Sequence, residues 1–402
     1  MLQVTQTFNH KALMQIAIVM AFIQFTHALE YMAFTPVFAF MADEFSVPVS
    51  FSGYVSGMYT LGAVLAGVIA FYMIDRFNKK QFLVKNMVLL GVLTFLTTLT
   101  THFETLLALR FFAGLVGGTT MGVGTSILIN YAPANLRGKM LATVIASFSM
   151  VSIVGMPAIL FLCTHYGWHT ALWLISSLCL LCLPLIVLII PRDTVPSSVK
   201  SHLSFDTQTL FFASCTAGVQ FSPMLIIPIL TPLMMLYMGA QQHLLPVLFF
   251  SGGVAGFLAT KITGILISRL SALMLAIIST LFFIASLLIP ALGYHNAVLF
   301  ITLFLGASYS RLVCASSVVI QYPEDEQRAS FSSLQAAMMS LITTLAFFLS
   351  SLLLPDQGIT TQNLNRLLIV SAVVASVFPV MVIILQKKLA KRSIQPDHLI
   401  MD

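Results

Sequence analysis

The sequence predicts an all-α integral membrane protein with twelve transmembrane helices in two pseudo-symmetric six-helix bundles. Three observations predict it. The 402 residues are 58% hydrophobic and only 8% charged, whereas soluble domains carry about 25% charged residues. Apolar runs long enough to cross a bilayer, which takes roughly 20 residues, recur along the chain. Lysine and arginine concentrate between alternate runs, on one predicted side of the membrane.

The apolar runs follow one another at short intervals. They are predicted at roughly 12–41, 51–74, 83–101, 105–130, 138–163, 170–190, 209–238, 244–268, 272–290, 297–320, 329–354 and 366–386. The residues before the first run lack the charged region and cleavage pattern of a secretory signal. We therefore expect the N-terminus, and after twelve spans the C-terminus, to lie in the cytoplasm.

The positive charges support this topology. Fifteen of the 19 lysines and arginines fall in the predicted inside loops or at the adjoining span ends, one falls outside at a span edge, and three fall deep within spans. Such a bias is typical of cytoplasmic loops. We therefore attribute the formal charge of +6 to topology and expect the lipid bilayer, and no nucleic acid, as a partner. The expected location is a bacterial cytoplasmic (inner) membrane.

A polar segment at mid-chain divides the sequence into two halves. The predicted parts are an N-terminal bundle at 1–190, a cytoplasmic linker at 191–208, a C-terminal bundle at 209–386 and a basic cytoplasmic tail at 387–402. The halves echo each other: a Tyr-x5-Arg pair at Tyr131 recurs at Tyr322, an offset of 191, and an Ile-x-Arg triplet at Ile74 recurs at Ile267, an offset of 193. Matching offsets indicate a parallel internal repeat.

The first span carries a single charge, Glu30. A carboxylate at membrane depth costs several kcal/mol unless it is paired, hydrated or protonated, which makes it a functional-site hypothesis. Gln24, His27 and Tyr31 lie at helical spacing around it and form a polar stripe. His27 either relays protons to Glu30 or is a hydrogen-bonded interior imidazole.

Arg110 in the fourth span is the predicted partner of Glu30. An arginine keeps its proton and must be satisfied by a carboxylate, water or carbonyl groups. A helix motion that changes the distance between the two side chains changes the proton affinity of the carboxylate. The pair is therefore either a proton-coupling device or a static ion pair that fixes the first span against the fourth.

Two further bases lie within spans of the C-terminal half. Arg311 is predicted near mid-membrane, facing a cavity, whereas Lys261 either faces the cavity or extends its stem to the interface. One acid against three bases favours an anionic or carboxylate-bearing substrate, for example a metabolite or a metallophore. The predicted substrate-binding residues are Gln24, Tyr31, Gln220, Lys261 and Arg311.

Several motifs resemble those of the major facilitator superfamily. The segment Phe71–Lys80, FYMIDRFNKK, is similar to the Gly-x-Leu-x-Asp-Arg-x-Gly-Arg-Lys loop between its second and third spans. The fourth-span stretch Leu107-x-x-Arg110-x-x-x-Gly114 is similar to the arginine motif of its proton-coupled members. Glu30 followed by Pro36, together with Gly167-Trp168-His169, resembles the drug:proton antiporter branch, which includes arabinose-efflux-like and multidrug exporters.

The resemblance implies the major facilitator fold and transport by alternating access. It also implies a conformational latch in the cytoplasmic loops, for which the candidates are Asp75, Arg76, Arg137 and Arg328. The fifth span departs from the antiporter pattern, since it reads Gly155-Met156-Pro157 where that branch has Gly-Pro followed by paired glycines. This departure weakens the inference of antiport and leaves the fold prediction unchanged.

The predicted function is proton-coupled export of a small organic compound. Uptake of a metabolite or nutrient by proton symport is the alternative, and a non-transporting receptor or enzyme is a further one. A phosphate-binding loop of the Gly-x-x-x-x-Gly-Lys-Ser/Thr type is missing from the sequence, which argues against ATP-driven pumping. We expect no enzymatic activity, no cofactor and no metal site, and we expect a monomer whose partners are a small-molecule substrate and protons.

Overall fold

A computed structural model describes residues 10–73, 78–131, 134–191, 207–323, 328–354 and 360–394. These residues form fifteen α-helices joined by short turns. The helices are α1 His10–Met41, α2 Ser52–Met73, α3 Lys79–Thr97, α4 Phe103–Gly117, α5 Thr120–Tyr131, α6 Ala134–Met150, α7 Met156–Tyr166, α8 Trp168–Ile189, α9 Thr207–Ile226, α10 Leu230–Pro232, α11 Leu245–Leu266, α12 Ala272–Ala291, α13 Ala297–Val319, α14 Arg328–Leu353 and α15 Thr361–Ile394.

Twelve helical stretches in the described part of the chain are long and apolar enough to cross a membrane. They correspond one for one to the predicted spans, which confirms the fold class. One boundary differs clearly: α15 continues to Ile394, so the predicted tail at 387–402 begins inside a helix. Lysine, leucine, alanine and arginine follow Gln386, and all are good helix formers.

The chain divides into two compact units. The first contains Met1–Phe45 and Met58–Val199, and the second contains Ser46–Gly57 and Lys200–Asp402. The second unit therefore includes the beginning of α2, which the sequence had placed in the N-terminal bundle. Within this unit the Ser351 hydroxyl of α14 donates to the Ser50 carbonyl.

Two spans are interrupted where proline occurs. The fifth span changes from α6 to a π-helical turn, Val151–Gly155, before α7 begins, and Pro157 follows in the first turn of α7. The seventh span ends as an α-helix at Ile226 and continues as a 3-10 turn, a single α-turn and a π turn up to Tyr237. Proline removes a backbone donor and breaks the hydrogen-bond ladder, which accounts for the interruption of this span after Ile226.

Glycine allows α2 and α4 to approach closely in the first unit. A Cβ atom at Gly114 would lie 1.9 Å from the Tyr59 carbonyl oxygen, and one at Gly62 would lie 2.2 Å from the Phe111 carbonyl oxygen. A Cβ atom at Gly117 would lie 2.2 Å from the Tyr59 hydroxyl. Small residues permit such contacts between membrane helices, and here they bring Tyr59 against the helix that carries Arg110.

We expect Gly114→Ala to destabilise the protein by about 1–3 kcal/mol, since an added methyl group would overpack a backbone contact. Thermal unfolding of the purified protein in detergent measures the effect. Gly67→Ala is the matched control, because a methyl group added at Gly67 of α2 would meet no other atom within 4 Å. Equal unfolding temperatures for the two variants would contradict this account of the α2–α4 contact.

Candidate functional site

The first unit contains a buried ion pair between α1 and α4. Arg110 Nη1 donates to Glu30 Oε1, and the two side chains are 1% and 0% exposed. Thr94 of α3 also directs its hydroxyl toward Glu30 Oε1, at 3.4 Å, while making a shorter bond of 2.8 Å to the Leu90 carbonyl. The predicted pairing of Glu30 with Arg110 is therefore present in the structure.

The pair is only partly satisfied. Glu30 Oε2 and Arg110 Nε and Nη2 are buried and have no hydrogen-bond partner among the described residues. Aromatic rings cover the guanidinium instead: its Cζ lies 3.7 Å from the Phe34 ring centroid and 4.5 Å from that of Tyr59. A pair optimised for packing would use the two-pronged geometry of arginine and carboxylate. Buried ion pairs contribute little to stability unless their remaining polar atoms are also bonded.

His27 belongs to a hydrogen-bonded chain beside the ion pair. Its Nε2 lies 3.0 Å from the Tyr59 hydroxyl, and its Nδ1 lies 3.5 Å from Gln24 Nε2. Both ring nitrogens thus have partners, which favours the interpretation of His27 as a hydrogen-bonded interior imidazole. The hydrogen-bonded chain reaches the ion pair through the Tyr59 ring, which lies against the Arg110 guanidinium. Tyr31 stacks on Tyr59 with ring centroids 5.1 Å apart. The residues of the predicted polar stripe therefore lie together around the Glu30–Arg110 pair.

The second unit contains a buried arginine of a different kind. Arg311 of α13 is 1% exposed. Its Nη1 donates to the Ser222 hydroxyl of α9 at 2.8 Å, and its Nη2 donates to the Ala375 carbonyl of α15 at 3.2 Å. The rings of Phe283 and Phe378 lie 4.7 and 5.5 Å from its Cζ. The Arg311 guanidinium is thus bonded within its own unit, and its predicted position facing a cavity stays a prediction.

The remaining predicted residues occupy varied positions. Gln220 is half-buried, and Lys261 is exposed on α11 beside exposed Leu258 and Ile262, which favours the interpretation that its stem extends along an outward face. The latch prediction falls partly on residues 75 and 76, which lie outside the described residues. Arg137 and Arg328 are in α6 and α14, but their side chains lie outside the described part as well.

Sequence reasoning missed several groups around the two arginines. Phe34 lies one helical turn after Glu30, so its position on the same face was readable from spacing. Thr94 gave no signal, since threonine is common in membrane helices. Ser222 was missed although its position carried a signal. It follows Glu30 by 192 residues, a spacing that lies between the two offsets, 191 and 193, that relate the halves.

The fold and the sequence together decide the family. The family model described as the Major Facilitator Superfamily matches residues 20–341. The chain belongs to the Major Facilitator Superfamily. The fold agrees, since a bacterial homolog of the human lysosomal transporter Spinster superposes with a TM-score of 0.76 at 14% identity, covering 96% of this chain and 99% of that one. The protein is thus a multi-pass membrane protein of this superfamily.

Two curated relatives are similar over shorter stretches. The 4-hydroxybenzoate transporter PcaK of Pseudomonas aeruginosa is 30% identical over 139 residues, which are 35% of this chain and 29% of that protein. The niacin transporter NiaP of Acinetobacter baylyi is 26% identical over 148 residues, which are 37% of this chain and 32% of that protein. Each match spans about a third of the relative's length.

Proposed function

We propose that the protein is a proton-coupled secondary transporter that works by alternating access and exports a small carboxylate-bearing compound across a bacterial cytoplasmic membrane. The observation that carries this proposal is the buried, partly satisfied pair of Glu30 and Arg110. A carboxylate that leaves a guanidinium in a water-poor interior gains proton affinity. Movement between α1 and α4 would therefore load and release a proton as the protein changes state.

The partial satisfaction of the pair supports coupling over static packing. Three buried polar atoms lack partners among the described residues in this arrangement, and such atoms cost free energy wherever they stay unbonded. The unbonded atoms raise the free energy of this conformation. A conformation of raised free energy is suited to alternate with a second one during transport. The rings of Phe34 and Tyr59 would hold the guanidinium while the carboxylate is neutral.

The substrate class is supported by the charges and by the relatives. 4-Hydroxybenzoate and niacin, which the two relatives are named for, are both aromatic carboxylic acids. Arg311 adds a fixed positive charge in the second unit, and a buried charge acts on an anion without direct contact. We propose Gln24, Tyr31 and Gln220 as substrate contacts. Lys261 is exposed and is the weakest member of the predicted set.

The conformational latch stays part of the proposal. Asp75 would pair with Arg76 or Arg137 at the cytoplasmic ends of the helices, as the motif in Phe71–Lys80 implies, and Arg328 is the candidate at the repeat-related position of the second half. We also propose cytoplasmic termini and a monomeric protein. Uptake by proton symport is the alternative direction, and proteoliposomes with opposite pH gradients distinguish it from export.

We expect proteoliposomes containing the protein to transport nicotinate and 4-hydroxybenzoate in response to a pH gradient. Nicotinamide and 4-hydroxybenzamide are the matched controls, since each replaces the carboxylate by an uncharged group of similar shape. A carboxylate flux at least tenfold above the amide flux is the expected result. Equal fluxes of acid and amide, or preferential transport of a lipophilic cation, would contradict the proposed substrate class.

A further inference from the structure

Each unit places an arginine of its fourth span against its first span. In the first unit Arg110 of α4 bonds Glu30 of α1, and in the second unit Arg311 of α13 bonds Ser222 of α9. Ser222 follows Glu30 by 192 residues, which agrees with the offsets of 191 and 193 between the halves. Arg311 follows Arg110 by 201 residues, so the arginines differ in position along their helices and still reach corresponding partners.

The Arg110–Glu30 centre and the Arg311–Ser222 centre differ in whether they contain a group that titrates. The contacts of Arg311 are a hydroxyl, a backbone carbonyl and two phenyl rings, none of which exchanges a proton near neutral pH. The described residues of the second unit include no aspartate or glutamate. Since arginine keeps its proton, this centre has the same charge throughout the working pH range.

The Glu30 centre, by contrast, contains a carboxylate, which can take up and release a proton. Arg110 donates to this carboxylate, the Tyr59 ring lies against the guanidinium, Tyr31 stacks on Tyr59, and His27 is bonded to Tyr59. Among the candidate membrane spans of the described chain, the only other carboxylate belongs to Glu104, which is exposed in the first turn of α4.

We propose that Ser222 is the non-titrating counterpart of Glu30, so that the protein moves one proton per transport cycle, on the first unit alone. Arg311 is then a positioning residue. It holds the last turn of α9 against α15 just before the span is interrupted at Ile226. The inference rests on the proposed function, because it assigns the stoichiometry of that function.

The same geometry identifies where a second proton carrier fits. Aspartate at position 222 would present a carboxylate to Arg311 Nη1, which now lies 2.8 Å from the serine hydroxyl. Asparagine has the same shape and carries no exchangeable charge. Ser222→Asp and Ser222→Asn therefore differ in titration and not in size.

A null-point measurement counts the protons. Proteoliposomes with a tenfold nicotinate gradient and a membrane potential clamped at zero are exposed to graded pH gradients, with protein-free liposomes as the background. Net flux stops at about one pH unit when one proton moves per cycle, and at about half a unit when two move. We expect about one unit for the wild type and Ser222→Asn, and about half a unit for Ser222→Asp. A wild-type null near half a unit, or equal nulls for the two variants, would overturn the proposal.

A second measurement needs no substrate. Infrared difference spectra of the purified protein between acidic and neutral pH detect the protonation of buried carboxyl groups. We expect one such band in the wild type, its loss in Glu30→Gln, and an additional band in Ser222→Asp that Ser222→Asn lacks. A buried-carboxyl band that persists in Glu30→Gln would overturn the one-carrier inference. Absence of pH-driven flux with these spectra intact would refute the proposed function instead.

Discussion

Glu30→Gln is expected to abolish pH-driven substrate accumulation, lowering it at least a hundredfold to the level set by diffusion. The amide oxygen of glutamine still accepts a hydrogen bond from Arg110, but the side chain no longer takes up or releases a proton. Exchange of labelled for unlabelled substrate involves no net proton movement, so it should continue near the wild-type rate. Accumulation and exchange of nicotinate in the same proteoliposomes provide the two measurements.

Glu104→Gln is the matched control for this variant. Glu104 is exposed in the first turn of α4, and its neutralisation should leave both activities unchanged. Loss of exchange together with accumulation in Glu30→Gln would indicate that the carboxylate is needed for binding or folding. Accumulation as strong as that of the wild type would exclude Glu30 as the proton carrier.

Arg110→Met is expected to destabilise the protein by about 3–5 kcal/mol, because it leaves a buried carboxylate without its partner. The double variant Glu30→Met with Arg110→Met should recover most of that loss, since a buried ion pair and a well-packed apolar pair of similar volume differ little in stability. Both should be inactive in pH-driven transport. Thermal unfolding in detergent, followed by chromatography, measures the stability.

Arg366→Met serves as the control, because Arg366 lies exposed near the start of α15. Its unfolding temperature should equal that of the wild type. If the double methionine variant is as unstable as Arg110→Met alone, the lost stability comes from packing of the guanidinium against Phe34 and Tyr59, and the carboxylate contributes little. That outcome would contradict the electrostatic account of the centre.

The sequence predicted the elements of the fold for a clear physical reason. A helix that crosses a bilayer needs a long apolar run, so composition alone locates each span. Glu30 and Arg110 were also predictable as partners, since each is an isolated charge whose desolvation requires compensation. Both side chains lie in one unit, where helix packing brings them together.

Other features were not readable from the sequence. The π turn at Val151–Gly155 and the multiple interruptions after Ile226 depend on how neighbouring helices bond the freed carbonyl groups. The bonds of the Arg311 side chain to Ser222 and Ala375 were not predicted. Burial depth can be estimated from position along a helix, whereas the direction of a side chain depends on helix rotation.

Proton movement on adding substrate tests the central claim most directly. A pH-sensitive dye enclosed in proteoliposomes reports the internal pH when nicotinate is added outside at zero membrane potential. We expect a substrate-dependent pH change for the wild type and for Glu104→Gln, and none for Glu30→Gln, although the Glu30→Gln variant still exchanges substrate. A pH change of wild-type size in Glu30→Gln would show that the proton travels on another group and would contradict the account.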